Sequence, residues 1–230
     1  MNIKIFADGA DKISILELNK NPMVKGFTTN PALLVKAGIK DYEDFGYDIT
    51  AAIKDKPISF EVLSDNWAEM KLQALKIASW GPNVYVKIPI TNTKGESSCM
   101  LIEDLNWSGI KINVTAITTI EQAEFIIKKL KYPRGAYISI FAGRIADTGV
   151  NPVPIIRRAV DLVRGTEIEI IWASPREVLN IYQAESCGCN IITCTPDLIK
   201  KYELLKGKDL KEYSRETVQM FYDQAKGYTL

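Results

Sequence analysis

The chain has 230 residues, of which 47% are hydrophobic and 25% charged, the mixture of a globular protein with a sizeable core. Its 29 Lys and Arg against 28 Asp and Glu leave a net charge of +1, which argues against a nucleic-acid or acidic-membrane binder while leaving room for a local cationic pocket. There is no histidine, so Ser-His-Asp and Cys-His catalysis and His-containing zinc motifs are excluded. Acid–base chemistry must then use carboxylates, Lys, Tyr, Cys or water.

Taken in chain order, short apolar runs alternate with helix-like stretches. Strands are expected at residues 2–8, 24–28, 58–63, 83–89, 110–114, 136–140, 167–172 and 190–193. All are rich in Ile and Val, as buried parallel strands are. Helices are expected at 31–37, where Pro31 follows Asn30 as a cap, and at 64–79, 118–131, 153–164, 175–186 and 196–205. A final extra helix is expected at 214–226. This alternation favours a single-domain (β/α)8 barrel over an open doubly wound sheet. Neither G-x-G-x-x-G nor G-x-x-x-x-G-K-[ST] occurs, which removes the usual support for a nucleotide-binding fold.

Cys99, Cys187, Cys189 and Cys194 lack the paired spacing of a zinc ribbon. They are expected to be buried free thiols, with no metal. Residues 1–8 have no apolar signal segment, and no run nears the roughly 18 residues of a membrane span. A cytoplasmic protein is expected.

Side chains alternate across a strand. Ile and Val faces suit the helix layer, so the opposite faces point into the barrel. Asp8, Glu61, Lys87, Asn113, Thr115 and Ser139 all fall on those opposite faces, at or near the strand C-termini. That end carries the active site of barrel enzymes. Singly, each has a plain structural reading. Lys87 could be a salt-bridged strand lysine, Asp8 and Glu61 turn residues, Asn30 a helix cap, Arg144 a solvated loop cation, and Thr115 and Ser139 satisfied hydroxyls. Their common face and common end outweigh those readings.

A lysine between carboxylates in a sheltered mouth has a specific use. Partial burial disfavours the charged amine. The neutral amine attacks a carbonyl to form a Schiff base, an electron sink for C–C cleavage. Without His, Glu61 and Asp8 are the available proton shuttles.

Five segments then carry a family resemblance: Asp8-Gly9-Ala10, the run Gly26 to Leu34, Val86-Lys87-Ile88-Pro89, Asn113-Val114-Thr115 and the run Ser139 to Arg144. In order and spacing, from residue 2 to about 206, they resemble the transaldolase family and its short branch, which includes the fructose-6-phosphate aldolases. The resemblance implies a metal-free, cofactor-free Schiff-base enzyme acting on a sugar or sugar phosphate. It implies Lys87 as nucleophile, Asp8 as proton-transfer residue, and Glu61 with Thr115 holding the catalytic water. Asn30, Asn113, Ser139, Phe141 and Ser174 are implied substrate contacts, and Arg144 the phosphate ligand. Aldolase-type members tend to have Gln at the position of Glu61 and Tyr at that of Phe141, so this sequence looks like the transferase side. It also implies a homo-oligomer, the C-terminal helix reaching a neighbour.

Two departures stand out. Gly9 replaces the family's usual hydroxyl residue, and the segment Ala173-Ser174-Pro175-Arg176 is shortened, so that Arg176 reads as a helix residue rather than a second phosphate cation. The rivals to a transferase are an aldolase releasing free dihydroxyacetone, a member specialised for an unusual sugar, a non-catalytic barrel subunit, and a hydrolase using Asp8 and Glu61.

Overall fold

The structure, a computed structural model, describes residues 2–130 and 135–228. Eight parallel strands close into one barrel in chain order: β1 (Lys4–Asp8), β2 (Val24–Thr28), β3 (Ile58–Glu61), β4 (Val84–Pro89), β5 (Ile112–Ile117), β6 (Ala136–Ile140), β7 (Ile168–Trp172) and β8 (Ile191–Cys194). The expected (β/α)8 barrel is the observed one.

Around it lie α1 (Lys12–Asn19), α2 (Pro31–Lys36), α3 (Tyr42–Ala52), α4 (Trp67–Ala78), α5 (Cys99–Trp107), α6 (Ile120–Lys129), α7 (Ala142–Asp147), α8 (Val153–Val163), α9 (Leu179–Ser186), α10 (Pro196–Leu205) and α11 (Leu210–Ala225). Side-chain oxygens of Asp11, Asn30, Asp41, Asn66 and Asp209 accept the first free amides of α1, α2, α3, α4 and α11, and Thr119 with Gln122 forms a capping box on α6.

The outward strand faces, such as Ile5, Phe60, Val86, Val114 and Ile138, merge with the helices in one core. The inward faces divide the barrel into two levels. The lower level is apolar: Phe6, Tyr137, Ile171 and Ile191, with Tyr85 against them. Tyr85 and Tyr137 stack with ring centroids 4.0 Å apart, and Phe6 meets Tyr137 edge-on at 5.8 Å. Gly26 makes room for this plug, since a Cβ there would lie 2.6 Å from the Phe6 ring. The upper level is polar: Thr28, Ser59, Lys87, Asn113, Ser139 and Thr193 are all buried there. The four cysteines are free and buried, as expected.

Several expected boundaries move. Helices α1, α3, α5 and α7 were not expected, being short or weakly patterned stretches inside the connections. Strand β5 starts and ends later than the expected 110–114. It carries a bulge between Val114 and Ile117, where Ala116 adopts φ 61°. The helix expected from 175 begins only at Leu179, because Ser174 is left-handed (φ 62°) and the amides of Arg176 and Glu177 donate to the side chain of Asn180. The helix expected at 118–131 ends at Lys129, and residue 131 lies outside the described residues. The last helix starts at Leu210, earlier than the expected 214, because Asp209 caps it.

Candidate active site

Strand register brings the centre together. Glu61 pairs with Lys87 across β3–β4, Lys87 with Asn113 across β4–β5, and Pro89 with Thr115 one step higher. On the far wall, Asp8 pairs with Thr28. The expected polar cluster is therefore real, with one correction. Asn113 is only the second residue of β5, and Lys87, Asn113 and Ser139 sit buried within the barrel rather than at its rim. A closed barrel staggers its strands, so equal levels do not fall at equal positions along each strand.

The Lys87 Nζ lies 3.1 Å from Glu61 Oε2, with side-chain exposures of 6% and 14%. It also donates to the carbonyl of Thr29 at 3.0 Å. The end of β3 that carries Glu61 is pinned by the Tyr42 hydroxyl, which donates to the Glu61 carbonyl at 3.0 Å. Below Lys87 a chain of bonds orients the amide of Asn113: Ser139 Oγ donates to its Oδ1 at 2.8 Å, and its Nδ2 donates to Ser59 Oγ at 3.0 Å. The buried hydroxyl of Thr115 has no hydrogen-bond partner among the described residues, as suits a group that holds a water or substrate atom.

Asp8 accepts from Thr28 Oγ1 at 2.7 Å. Thr28 spends its only proton there, so Thr193, in short contact with Thr28, must donate to it. Burial pushes the Asp8 carboxyl above the usual carboxylate range. The charge of Lys87 and the Thr28 hydroxyl pull it partly back, and Glu61 adds to the rise. Thr28, Thr193 and Ser59 were missed in the sequence, although Thr28 is in register with Asp8 and Ser59 lies two residues before Glu61; Thr193 pairs with Phe6 and had no such signal.

At the rim, Asn30 serves as the cap of α2, its Oδ1 accepting from the amide of Leu33 at 3.0 Å. No described residue accepts from its Nδ2. Phe141 precedes α7, and the Arg144 guanidinium lies over its ring at 5.6 Å. No carboxylate among the described residues pairs with Arg144. Ser174 is half-buried, and its carbonyl fits against Gly143, where a Cβ would lie only 1.6 Å from the Ser174 oxygen. Arg176 is not the helix residue expected. It lies in the connection after β7, its Nε 3.2 Å from where a Gly143 Cβ would be, and it pairs with Asp147 at 2.6 Å. A second cation therefore stands on the α7 side of the mouth.

The arrangement can do proton transfer around a nucleophilic amine. Lys87 touches one carboxylate, Glu61, and its charge acts on a second, Asp8.

A family described as transaldolase/fructose-6-phosphate aldolase matches residues 5–229. A protein named "Probable transaldolase" from Streptococcus agalactiae is 34% identical over 226 residues, covering 97% of this chain and 99% of its own length. Another so named, from Dehalococcoides mccartyi, is 35% identical over 193 residues, covering 83% of this chain and 86% of its own. Among solved structures, a dihydrodipicolinate synthase from Rhodopseudomonas palustris superposes with a TM-score of 0.59 at 13% identity, covering 97% of this chain and 79% of its own. That likeness is one of fold alone.

The raised pKa of Asp8 has a consequence for stability. A carboxyl whose folded pKa lies above its unfolded value favours the fold fully below the unfolded pKa, and that contribution is lost as pH rises through the folded pKa. Above the unfolded pKa the burial of this carboxyl is therefore a cost. Asp8→Asn, which keeps an oxygen for Thr28, is expected to raise the urea midpoint at pH 7, with the gain closing below about pH 4. A gain that did not change with pH would contradict the burial of this carboxyl.

Proposed function

This chain belongs to the transaldolase/fructose-6-phosphate aldolase family, and on that premise we propose that it transfers a dihydroxyacetone unit between sugar phosphates through a Schiff base on Lys87. The observation that carries the reading is the enclosed amine of Lys87, 3.1 Å from Glu61, on the polar side of an otherwise apolar barrel interior.

In this reading Lys87 gives a proton to Glu61, and the neutral amine attacks the ketose carbonyl carbon at C2. The carbinolamine hydroxyl takes a proton from Glu61, directly or through a water held by Thr115, and leaves as water. The resulting iminium draws the electron pair of the C3–C4 bond as that bond breaks. Asp8 accepts the C4 hydroxyl proton, and the aldose departs. The enamine left on Lys87 then adds to the acceptor aldehyde, and Asp8 returns its proton to the new hydroxyl. Hydrolysis at C2 reverses the first steps. The protonated imine is the electron sink, so no metal or organic cofactor is needed. A carboxyl raised above its ordinary range by burial suits a group that must both take and return a proton.

Asn30, Asn113 and Ser139 are the proposed hydroxyl contacts, with Phe141 and Ser174 lining the distal wall. Arg144 is the proposed phosphate ligand, with Arg176 beside the same turn. Phe141, which has no hydroxyl, and Glu61 in place of an amide favour transfer over simple cleavage. An aldolase with the same Lys87 chemistry is the second reading, supported by the family description, which spans both.

With fructose 6-phosphate and a four-carbon aldose phosphate, a coupled assay is expected to show transfer that is lost in Lys87→Ala and slowed about 10²- to 10⁴-fold in Glu61→Gln. Full activity in Lys87→Ala would refute the mechanism. Free dihydroxyacetone released without an acceptor would assign the chain to the aldolase side.

The proposal extends to assembly. No residue of α11 is buried, yet Leu210, Val218, Phe221 and Tyr222 are 80%, 64%, 60% and 65% exposed on it. An apolar stripe of that kind on a helix that does not pack on its own barrel suits a second copy of the chain, as the family resemblance implies. Val218→Asp with Phe221→Asp is expected to reduce the mass measured by light scattering to that of a smaller species while the barrel stays folded. An unchanged oligomer, or a monomer in the unmodified chain, would contradict this.

A further inference from the structure

The opposite end of the barrel holds a cavity of about 600 Å³. It is floored by Phe6, Tyr85 and Tyr137 and ringed by Lys4, Lys25, Lys54 and Lys111, with Asp55 the one carboxylate lining it. With Lys4 paired to Glu169, the remaining Lys25, Lys54 and Lys111 against Asp55 leave this concave mouth and its low-dielectric floor with net positive potential.

The lysines differ in their engagements. Lys4 is neutralised by Glu169 at 2.6 Å. Lys111 donates to the carbonyl of Pro82 at 2.8 Å and lies over the Tyr85 ring at 5.7 Å, so it is held in place with no carboxylate partner among the described residues. Lys25 and Lys54 have no hydrogen-bond or ion-pair partner among the described residues, and both are exposed.

Strand geometry also favours Lys25. The β1–β2 register runs Ile5 to Val24 and then Phe6 to Gly26, which leaves Lys25 as the extra residue of a bulge. Val24 belongs to the outer core, and Gly26 faces the Phe6 ring inside the barrel. A bulge gives up ladder pairing and re-aims a side chain, and here the re-aimed residue lines the cavity.

We propose that this N-terminal mouth is a binding site for a small polyanion bearing adjacent phosphate groups, separate from the Lys87 centre. The floor adds selectivity. One face of Tyr85 is covered by Tyr137 and Lys111 also lies over that ring, so little aromatic face is left to stack a nucleobase. Recognition rests on the phosphates, held between Lys25, Lys54 and Lys111.

Calorimetric titration of the full chain with pyrophosphate tests this. Binding is expected that weakens as salt is raised. It is expected to fall by about tenfold or more in Lys25→Glu with Lys54→Glu and to stay within about twofold in Arg144→Ala. Because both lysines are exposed, the double variant should keep its thermal midpoint, and Lys25→Gln should give a smaller loss of affinity in the same direction. ATP is expected to bind no more than about threefold tighter than tripolyphosphate. No heat at millimolar pyrophosphate, or binding lost in Arg144→Ala and retained in the double-lysine variant, would overturn the site. A large preference for ATP would overturn the phosphate-only recognition. Trapping of a ketose on Lys87 should be untouched by the double variant, so failure here leaves the catalytic reading standing.

Discussion

The contact on which the rest depends is that between Lys87 and Glu61, enclosed in the barrel at 3.1 Å. Removing two charges from water costs several kcal/mol per ion, and their attraction offsets that only with good geometry and further hydrogen bonds. Among the described residues Lys87 has just one such further bond, to the Thr29 carbonyl. As a stabilising device the pair is poor, since apolar residues of similar volume would serve a barrel core as well or better. Under the proposed reaction it is chemistry held ready: an amine beside a carboxylate, with Asp8 close enough for its own ionisation to respond to both.

The two-level interior protects that pair. The plug of Phe6, Tyr85, Tyr137, Ile171 and Ile191 shuts the barrel beneath it. The polar side chains above are tied to one another: Thr193 to Thr28 to Asp8 on one wall, and Ser139 to Asn113 to Ser59 on another. Each tie satisfies a buried polar group and fixes a rotamer, which is the preorganisation a proton-transfer site requires. Thr115 is the exception, its buried hydroxyl without a partner among the described residues. A bulge at Ala116 follows it directly.

The barrel was legible in the sequence because eight Ile- and Val-rich runs recur between helical patterns, and strand alternation is local. Asp8, Glu61, Lys87, Asn113, Thr115 and Ser139 were legible for the same reason, since period two assigns a face without any knowledge of the partner strand. Depth was not legible. Asn113 seemed to end a strand and instead begins one, because stagger is a property of the closed sheet. Arg176 was misread as helical because the left-handed turn at Ser174 depends on contact with Gly143 from another strand's connection. Helix α7 was missed because six residues carry too little pattern to register. Thr28 and Thr193 look like ordinary strand threonines until β1, β2 and β8 are brought side by side.

The most direct test of the Lys87–Glu61 centre is borohydride reduction in the presence of fructose 6-phosphate, read by intact mass and peptide mapping. A reduced adduct on the peptide that contains Lys87, and on no other lysine, is the expected result. An adduct confined to a surface lysine such as Lys36, or trapping that persists in Lys87→Ala, would contradict the assignment of this buried amine as the nucleophile.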